Sequence, residues 1–96
     1  MNKNSIVIIP CYNEEKRLKT EVYLDSLKKL PEISILFVND GSNDRTLEVL
    51  KNIANQLPEQ ISILNSVKNA GKANAIYEGG REALKKKPAY IGYIDA

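Results

Sequence analysis

Short apolar runs alternate along the chain with longer segments in which apolar residues recur at helical spacing. The apolar runs are rich in β-branched residues and read as buried strands at 5–10, 33–39, 61–64 and 89–95. The helical segments end before a proline, and they lie between Asn13 and Pro31, between Asp44 and Pro58, and between Gly71 and Pro88. The order β-α-β-α-β-α-β predicts an α/β fold, a Rossmann-like parallel sheet of about four strands with helices on both faces and right-handed crossovers.

Two polar residues are predicted to cap helices. Asn13 comes directly before Glu14 and Glu15, whose carboxylates suit the positive end of a helix dipole. Asp44 precedes the most regular amphipathic segment, whose apolar stripe consists of Leu47, Leu50, Ala54 and Leu57. We therefore expect the first helix to begin just after Asn13 and the second just after Asp44. The third is expected to reach the lysines at 85–87, which suit a helix C-terminus.

Composition limits the chemistry that the chain can perform. The sequence has 96 residues, enough for one domain over 1–96, with 43% apolar and 27% charged residues. It has no histidine, which removes imidazole acid–base chemistry and imidazole metal ligands. The net charge of +2, without a basic stripe, argues against a nucleic-acid partner.

Cysteine use and the first apolar run bear on the compartment. Cys11 is the single cysteine, so an internal disulfide is excluded, and we interpret it as a small buried residue. The run at 6–9 is too short for a signal-peptide core or a membrane span. A cytoplasmic location is expected, and membrane association through parts of a longer parent stays open.

Residues that could bind a ligand, most of them polar, charged or aromatic, follow each predicted strand. Because the carboxyl ends of parallel strands share one edge of a sheet, they are expected to meet there. They are Tyr12, Asn13 and Glu14 after strand one, Asp40 after strand two, Lys68, Asn69, Gly71 and Lys72 after strand three, and Asp95 at the end of strand four.

These residue types suit a nucleotide. Tyr12 could stack on a base, and Asp40 could accept from a base N–H. Lys72, at a helix start, could meet phosphate together with the helix dipole. Asp95 could hold a ribose or a metal-bound water. Two plainer interpretations stay open: loops are polar in any case, and Asp40 with Gly41 could simply build a turn.

Familiar phosphate-binding signatures are not matched. A P-loop would need glycine where Ser66 stands and serine or threonine where Ala73 stands. No G-x-G-x-x-G follows the first strand, which argues against a nicotinamide-dinucleotide site. The adjacent glycines 79 and 80 lie inside a helical segment at a cost of roughly 1 kcal/mol each. Close backbone packing is the favoured reason for them, and approach to a ligand is the alternative.

Four segments, in order and at suitable spacing, resemble the successive motifs of family 2 glycosyltransferases. They are IIPCYNEE at 8–15, FVNDGSNDRT at 37–46, NAGKANA at 69–75 and YIDA at 93–96. The resemblance implies the N-terminal half of a GT-A fold with strand order three-two-one-four. It implies an enzyme that transfers a sugar from a nucleotide diphosphate sugar with inversion, helped by Mg²⁺ or Mn²⁺.

The resemblance also implies roles for individual residues. Pro10, Tyr12 and Glu14 resemble residues that line the nucleotide, and Asp40 resembles the carboxylate that binds the base. Further along the chain, Gly71 and Lys72 resemble the loop near the base and phosphates, whereas Asp95 resembles the first acid of an Asp-x-Asp metal motif.

The departure from the family pattern is at the end of the sequence. Ala96 is the last residue, where the second acid of the metal motif should follow, and the family's acceptor site and catalytic base lie further downstream. We therefore expect a donor-binding part, truncated at its C-terminal end and inactive alone. The donor is expected to be UDP-linked, and the acceptor a lipid phosphate or a saccharide. The opening at 12–18 and the loop at 71–73 look most like enzymes that load a sugar onto polyprenyl or dolichyl phosphate.

One further expectation and two rival functions complete the prediction. The implied strand order leaves strand four as an exposed apolar edge, which favours self-association. The rival from another class is a non-enzymatic α/β nucleotide-binding or receiver-like signalling domain with Asp40 as its acceptor. A sugar nucleotidyltransferase would need a glycine-rich loop bearing arginine or lysine after strand one, and the sequence lacks one.

Overall fold

Strands and helices alternate along the part of the chain that the computed structural model describes, residues 4–96. The elements are β1 (Ser5–Cys11), α1 (Thr20–Lys29), β2 (Ile33–Asp40), α2 (Thr46–Gln56), β3 (Ile61–Ser66), α3 (Lys72–Leu84) and β4 (Tyr90–Tyr93). The four strands form one parallel sheet in the order β3-β2-β1-β4. The predicted α/β class and the strand order implied by the family resemblance are confirmed.

The sheet is covered on both faces, as predicted. On one face α1 and α2 pack over Ile9 and Phe37, and the ring of Tyr23 meets that of Phe37 edge-on at 5.4 Å between centroids. The opposite face carries α3, whose Ala75 and Ala83 pack against the alternate residues of β1 and β2. Because both faces are buried, β1 and β2 read as continuous apolar runs rather than alternating ones.

Gly79 allows α3 to lie close to the sheet. A Cβ atom at this position would stand 2.8 Å from Ile8 Cγ2 and 3.0 Å from Val38 Cγ2, whereas at Gly80 nothing lies within 4 Å. The close packing predicted from the glycine pair therefore holds for Gly79 and not for Gly80.

The first strand continues through Pro10 to Cys11, so the prediction that Pro10 ends it is wrong. The backbone of Ile8 points towards β4, since its carbonyl accepts from Ile94 N at 3.1 Å. Two residues further on, the backbone of Pro10 points the same way but lies past the end of β4. Because no strand residue stands opposite it on that side, the missing N–H of proline costs no hydrogen bond of the sheet.

The predicted start of the first helix is also wrong. Residues 14–17 form a turn in which Glu14 O accepts from Leu18 N, and α1 begins only at Thr20. Asn13 does not cap a helix, because its backbone is left-handed, with φ of 52°, and its side-chain oxygen accepts from Asn43 N instead. The start of α2 fits its prediction better, since Asp44 Oδ1 accepts from Thr46 N at 2.9 Å, although the helix begins at Thr46.

Several other boundaries differ from the predicted ones, among them the end of β2, which reaches Asp40 rather than residue 39. β3 extends to Ser66, and β4 is shorter than 89–95. Helix α3 ends at Leu84, before the lysine run, and Lys87 has a φ of 51° in the turn that follows. Within residues 4–96, no helix has the length and apolar character required to cross a membrane.

Candidate functional site

A cleft of about 480 Å³ opens at the carboxyl end of the sheet, where the chain order reverses beside β1. Ligands of open α/β sheets bind at such a reversal. Its walls hold Pro10, Tyr12, Glu14, Arg17, Asp40, Asn69, Gly71, Lys72, Asp95 and Ala96. All seven residues that the resemblance places around a nucleotide thus line one cleft, although they come from four separate strand ends.

Asp40, the last residue of β2, is the most firmly held side chain of the cleft. It is 4% exposed, and its Oδ1 accepts from Ala70 N while its Oδ2 accepts from Gly71 N and Asn69 Nδ2, all at 3.0 Å. The Asp40 carboxylate therefore fixes the loop that leads into α3, a role that neither the turn interpretation nor the base-binding interpretation included. Since each carboxylate oxygen can accept two hydrogen bonds, Oδ1 retains one acceptor position.

Gly41 lets the loop after β2 lie against the loop after β3. Its φ is +64°, and a Cβ atom there would stand 2.2 Å from Asn69 N. Any side chain at 41 would strain the backbone and push the 69–71 loop away from Asp40.

Lys72 and Asp95 close one side of the cleft. The Lys72 ammonium forms an ion pair with Asp95 Oδ1, and both side chains remain more than half exposed. The hydrogen bond to Asp95 raises the pKa of Lys72, so the amine is cationic at neutral pH. As Lys72 is also the first residue of α3, the helix dipole adds to the positive potential there.

Glu14 brings a second acid to the wall. Its side chain is 16% exposed, and Arg17 Nε lies 3.3 Å from Oε1. Within residues 4–96, Oε1 is the one buried side-chain oxygen or nitrogen that makes no hydrogen bond, since the Arg17 contact lacks hydrogen-bond geometry. A buried acceptor that makes no hydrogen bond, beside an open cleft, is available to a ligand donor.

The loops after β1 and β2 are joined by hydrogen bonds that we call the loop clasp. Asn13 N donates to Ser42 Oγ, Glu14 N to Thr46 Oγ1 and Glu15 N to Asp44 Oδ2, while Asn43 N donates to Asn13 Oδ1 and Arg45 N to Glu15 Oε1. The clasp lies next to Tyr12 and Glu14, so it sets the position of one whole wall of the cleft.

The residues of the cleft fit a divalent cation only in combination with a ligand. No group of three or more acidic or thiol side chains that could hold a metal exists among the residues that the structure describes. Among the acids of the cleft, Asp95 is the one whose carboxylate is exposed. Mg²⁺ commonly binds one or two carboxylates together with substrate phosphates. A metal at Asp95 would thus take its other ligands from diphosphate oxygens and water.

Two sets of residues at this site were missed from the sequence. Arg17 lies in the segment predicted to be the first helix, and its spacing of three from Glu14 is the one signal in the sequence for their ion pair. The partners in the loop clasp could not be assigned, because Thr46 and Glu14 are separated by a whole strand and helix.

Comparisons with known proteins agree with this architecture. The model of glycosyl transferase family 2 matches residues 6–96. A dolichyl-phosphate β-glucosyltransferase of Trichomonas vaginalis is 41% identical over 97 residues, covering 93% of this chain and 28% of that protein. The chain spans 38%, 28% and 25% of the length of three curated relatives that it matches.

Solved structures show the same fold. Staphylococcus aureus TarS 1–349 in complex with UDP is 27% identical with a TM-score of 0.70, over 96% of this chain and 27% of that one. A mannosyltransferase from Pyrobaculum calidifontis, in complex with GDP-Man and Mn²⁺, has a TM-score of 0.68 at 24% identity, over 82% of this chain and 24% of that one. The match over residues 6–96, together with the parallel sheet in the order β3-β2-β1-β4, shows that this chain belongs to glycosyl transferase family 2 and forms an N-terminal part of its GT-A fold.

Proposed function

We propose that this chain binds the donor of an inverting glycosyltransferase, and that the longer protein transfers a sugar from a UDP-linked donor to a lipid phosphate or a saccharide. The observation that carries the proposal is the cleft at the β1–β4 reversal of a family 2 chain. It brings together an aromatic ring, a buried acid with a spare acceptor, and a lysine at a helix N-terminus.

Each of these groups suits one part of a nucleoside diphosphate. Tyr12 is 44% exposed at the rim, so its ring is free to stack on a base. The remaining acceptor position of Asp40 Oδ1 suits a single N–H, such as that of uracil. Lys72 and the first turn of α3 suit the diphosphate.

The proposed metal is Mg²⁺ or Mn²⁺, held by Asp95 together with the diphosphate. When bound, the cation would neutralise charge on the leaving diphosphate. The ion pair uses only Oδ1 of Asp95, so Oδ2 would be left to hold the cation, and the Lys72 ammonium beside it would add positive charge for the diphosphate.

The acceptor and the setting belong to the longer protein. The relative named as a dolichyl-phosphate glucosyltransferase supports a lipid phosphate acceptor. We propose a cytoplasmic location, with membrane association through segments outside this sequence. We further propose that the 96-residue chain is inactive alone. The three acids of its cleft, Glu14, Asp40 and Asp95, all take part in binding the donor or the metal in this proposal, so none is left to act as the catalytic base.

A receiver-like role for Asp40 is the weaker candidate. A phosphoacceptor needs an accessible carboxylate, whereas Asp40 is 4% exposed and surrounded by three N–H donors.

The test is a calorimetric titration of the chain with UDP and with GDP, each with and without Mn²⁺. We expect UDP to bind more tightly than GDP and Mn²⁺ to strengthen UDP binding. Tyr12→Ala should weaken UDP binding by about tenfold through lost stacking. Tyr77→Ala is the matched control, because Tyr77 is 61% exposed on α3 outside the cleft.

Two results would contradict the proposal. One is a folded chain that binds neither nucleotide with Mn²⁺ present. The other is an equal loss of affinity in the Tyr12 and Tyr77 variants, which would place the nucleotide elsewhere. Tyr12 is preferred to Asp40 for this test because loss of the Asp40 carboxylate would also release the 69–71 loop.

A further inference from the structure

Thr46 is a polar residue at an apolar position. It lies four residues before Leu50 and seven before Ile53, and all three are 0% exposed. They form the buried stripe of α2, whereas the other members of the predicted stripe, Leu47, Ala54 and Leu57, are only partly buried. A valine would fill this position equally well, and a buried hydroxyl is unfavourable unless it is hydrogen-bonded. The reason for threonine should therefore lie in what its hydroxyl contacts.

The hydroxyl of Thr46 connects two loops. It accepts from Glu14 N at 2.8 Å and donates to Asp44 Oδ1. Asp44 in turn accepts from Glu15 N through Oδ2 at 3.3 Å. The bond from the Thr46 hydroxyl is the main cause that lowers the pKa of Asp44, so this acceptor is ionised at neutral pH. Thr46 and Asp44 thus hold two consecutive amides of the loop that follows β1.

Glu14, the first of these two residues, lines the wall that faces the proposed nucleotide. Cys11, at the end of β1, is 1% exposed and fixes one end of this short segment, and the bond to Glu14 N fixes the other. Tyr12 lies between the two fixed points, and Asn13 takes a left-handed backbone there. The Thr46 hydroxyl, a group of α2 that does not line the cleft, thereby holds the segment that carries Tyr12, together with the bonds of Asn13 to Ser42 and Asn43.

From these contacts we infer that Thr46, with Asp44, is a positioning residue of the nucleotide site. Its hydroxyl holds the segment 12–15 so that Tyr12 and Glu14 face the base and ribose of the donor. The inference rests on the proposed function, and it assigns Thr46 no contact with the nucleotide itself. It predicts that nucleoside binding depends on the hydroxyl whereas diphosphate binding does not, since Lys72 and Gly71 are held separately by Asp40 and α3.

The first measurement needs no ligand. Amide hydrogen exchange, followed by NMR, should be about tenfold faster at Glu14 in Thr46→Val than in the wild-type chain, because that amide loses its acceptor. Ala70 and Gly71 amides, which donate to Asp40, serve as internal references and should not change. Thr46→Ser keeps the hydroxyl and should restore protection at Glu14. Unchanged exchange at Glu14 in Thr46→Val would overturn the clasp itself.

The second measurement is calorimetric binding of UDP and of inorganic pyrophosphate. Thr46→Val should bind UDP about tenfold more weakly and pyrophosphate as the wild-type chain does, with Thr46→Ser close to wild type. Thr20→Val, at the start of α1, is the matched control and should bind both ligands normally. Equal losses for UDP and pyrophosphate would reduce Thr46 to a structural residue and overturn the inference. A wild-type chain that bound pyrophosphate but not UDP would instead overturn the proposed function.

Discussion

Cys11 ends β1 beneath α1 and α2, and its thiol is almost completely buried. Burial, reinforced by the nearby charge of Glu14, raises the pKa of the thiol to about 12. A thiol that stays protonated in this environment contributes to packing and is not a nucleophile. This agrees with the prediction that Cys11 is a small buried residue, since the sequence has no histidine that could activate it.

The raised pKa predicts a loss of stability at alkaline pH. In the unfolded chain the thiol ionises near its ordinary value of about 8.5, whereas in the folded chain it stays protonated. Stability is therefore full below about pH 8.5 and falls as the pH rises towards 12, by at most about 1.4 kcal/mol per pH unit. Urea unfolding at pH 8 and 9.5 measures this slope.

Cys11→Ala is the control for that slope. The variant loses some packing at every pH, but its free energy of unfolding should change little between pH 8 and 9.5. The pKa of Tyr23 is also raised by burial, yet its ordinary value of about 10 places its effect above this range. Equal slopes in the two chains would refute the assignment to Cys11.

Asp40 shows how far single residues can be interpreted from the sequence. Its place at a strand end, among the residues of a polar rim, followed from the apolar run before it, and the structure places it there. Its three hydrogen-bond donors could not be identified, because they lie 29 to 31 residues further along the chain. A pattern of residues predicts which element an acid ends, but not which loop folds back over it.

Helix α3 contains two adjacent glycines in opposite situations, and this gives a prediction within one element. Gly80→Ala should raise the free energy of unfolding by about 0.5 to 1 kcal/mol, because a helix favours alanine and nothing lies within 4 Å. Gly79→Ala gains the same propensity but places a methyl group 2.8 Å from Ile8 Cγ2, so we expect a net loss of about 1 to 3 kcal/mol.

Chemical denaturation of the two variants beside the wild-type chain provides the measurement, and each variant is the other's control. The outcome that contradicts the structure is a stabilising Gly79→Ala, since α3 would then not lie against Ile8 and Val38.

Element types were predictable, whereas several of their ends were not. The existence of all seven elements followed from apolar runs and prolines. The start of α1 was missed because Asn13 and Glu15, which look like helix-start residues, are engaged by the loop after β2. Pro10 was tolerated inside β1 because β4 is too short to reach it. In both cases the local sequence preference was interpreted correctly, but the position of another element, the loop after β2 or the end of β4, decided the structure.

Of the two edge strands of the described sheet, β3 and β4, the more exposed is β4. All four residues of β4 are exposed, and Tyr90, Tyr93 and Ile94 are each at least half exposed. An apolar edge strand offers unpaired backbone groups to another chain. The expectation that the 96-residue chain associates with itself through β4 stays a prediction.

Sedimentation equilibrium tests it directly. The weight-average mass of the wild-type chain should rise with concentration, and Ile91→Lys should reduce this rise because a charge on an edge strand opposes pairing. Val67→Lys, which replaces a residue 88% exposed after β3, should leave the association unchanged. A monomeric mass at all concentrations, or equal effects of the two lysines, would count against association through β4.

The strand order has a consequence for how the whole chain holds together. Ser5 pairs with Tyr90, so the first and last strands meet only after nearly the entire chain has been brought into a loop, and the entropy of that closure opposes the pairing. The cleft lies across this junction, with Tyr12 on one side and Asp95 on the other. A ligand that touches both sides acts as a reversible cross-link between β1 and β4, and its binding free energy adds to that of folding.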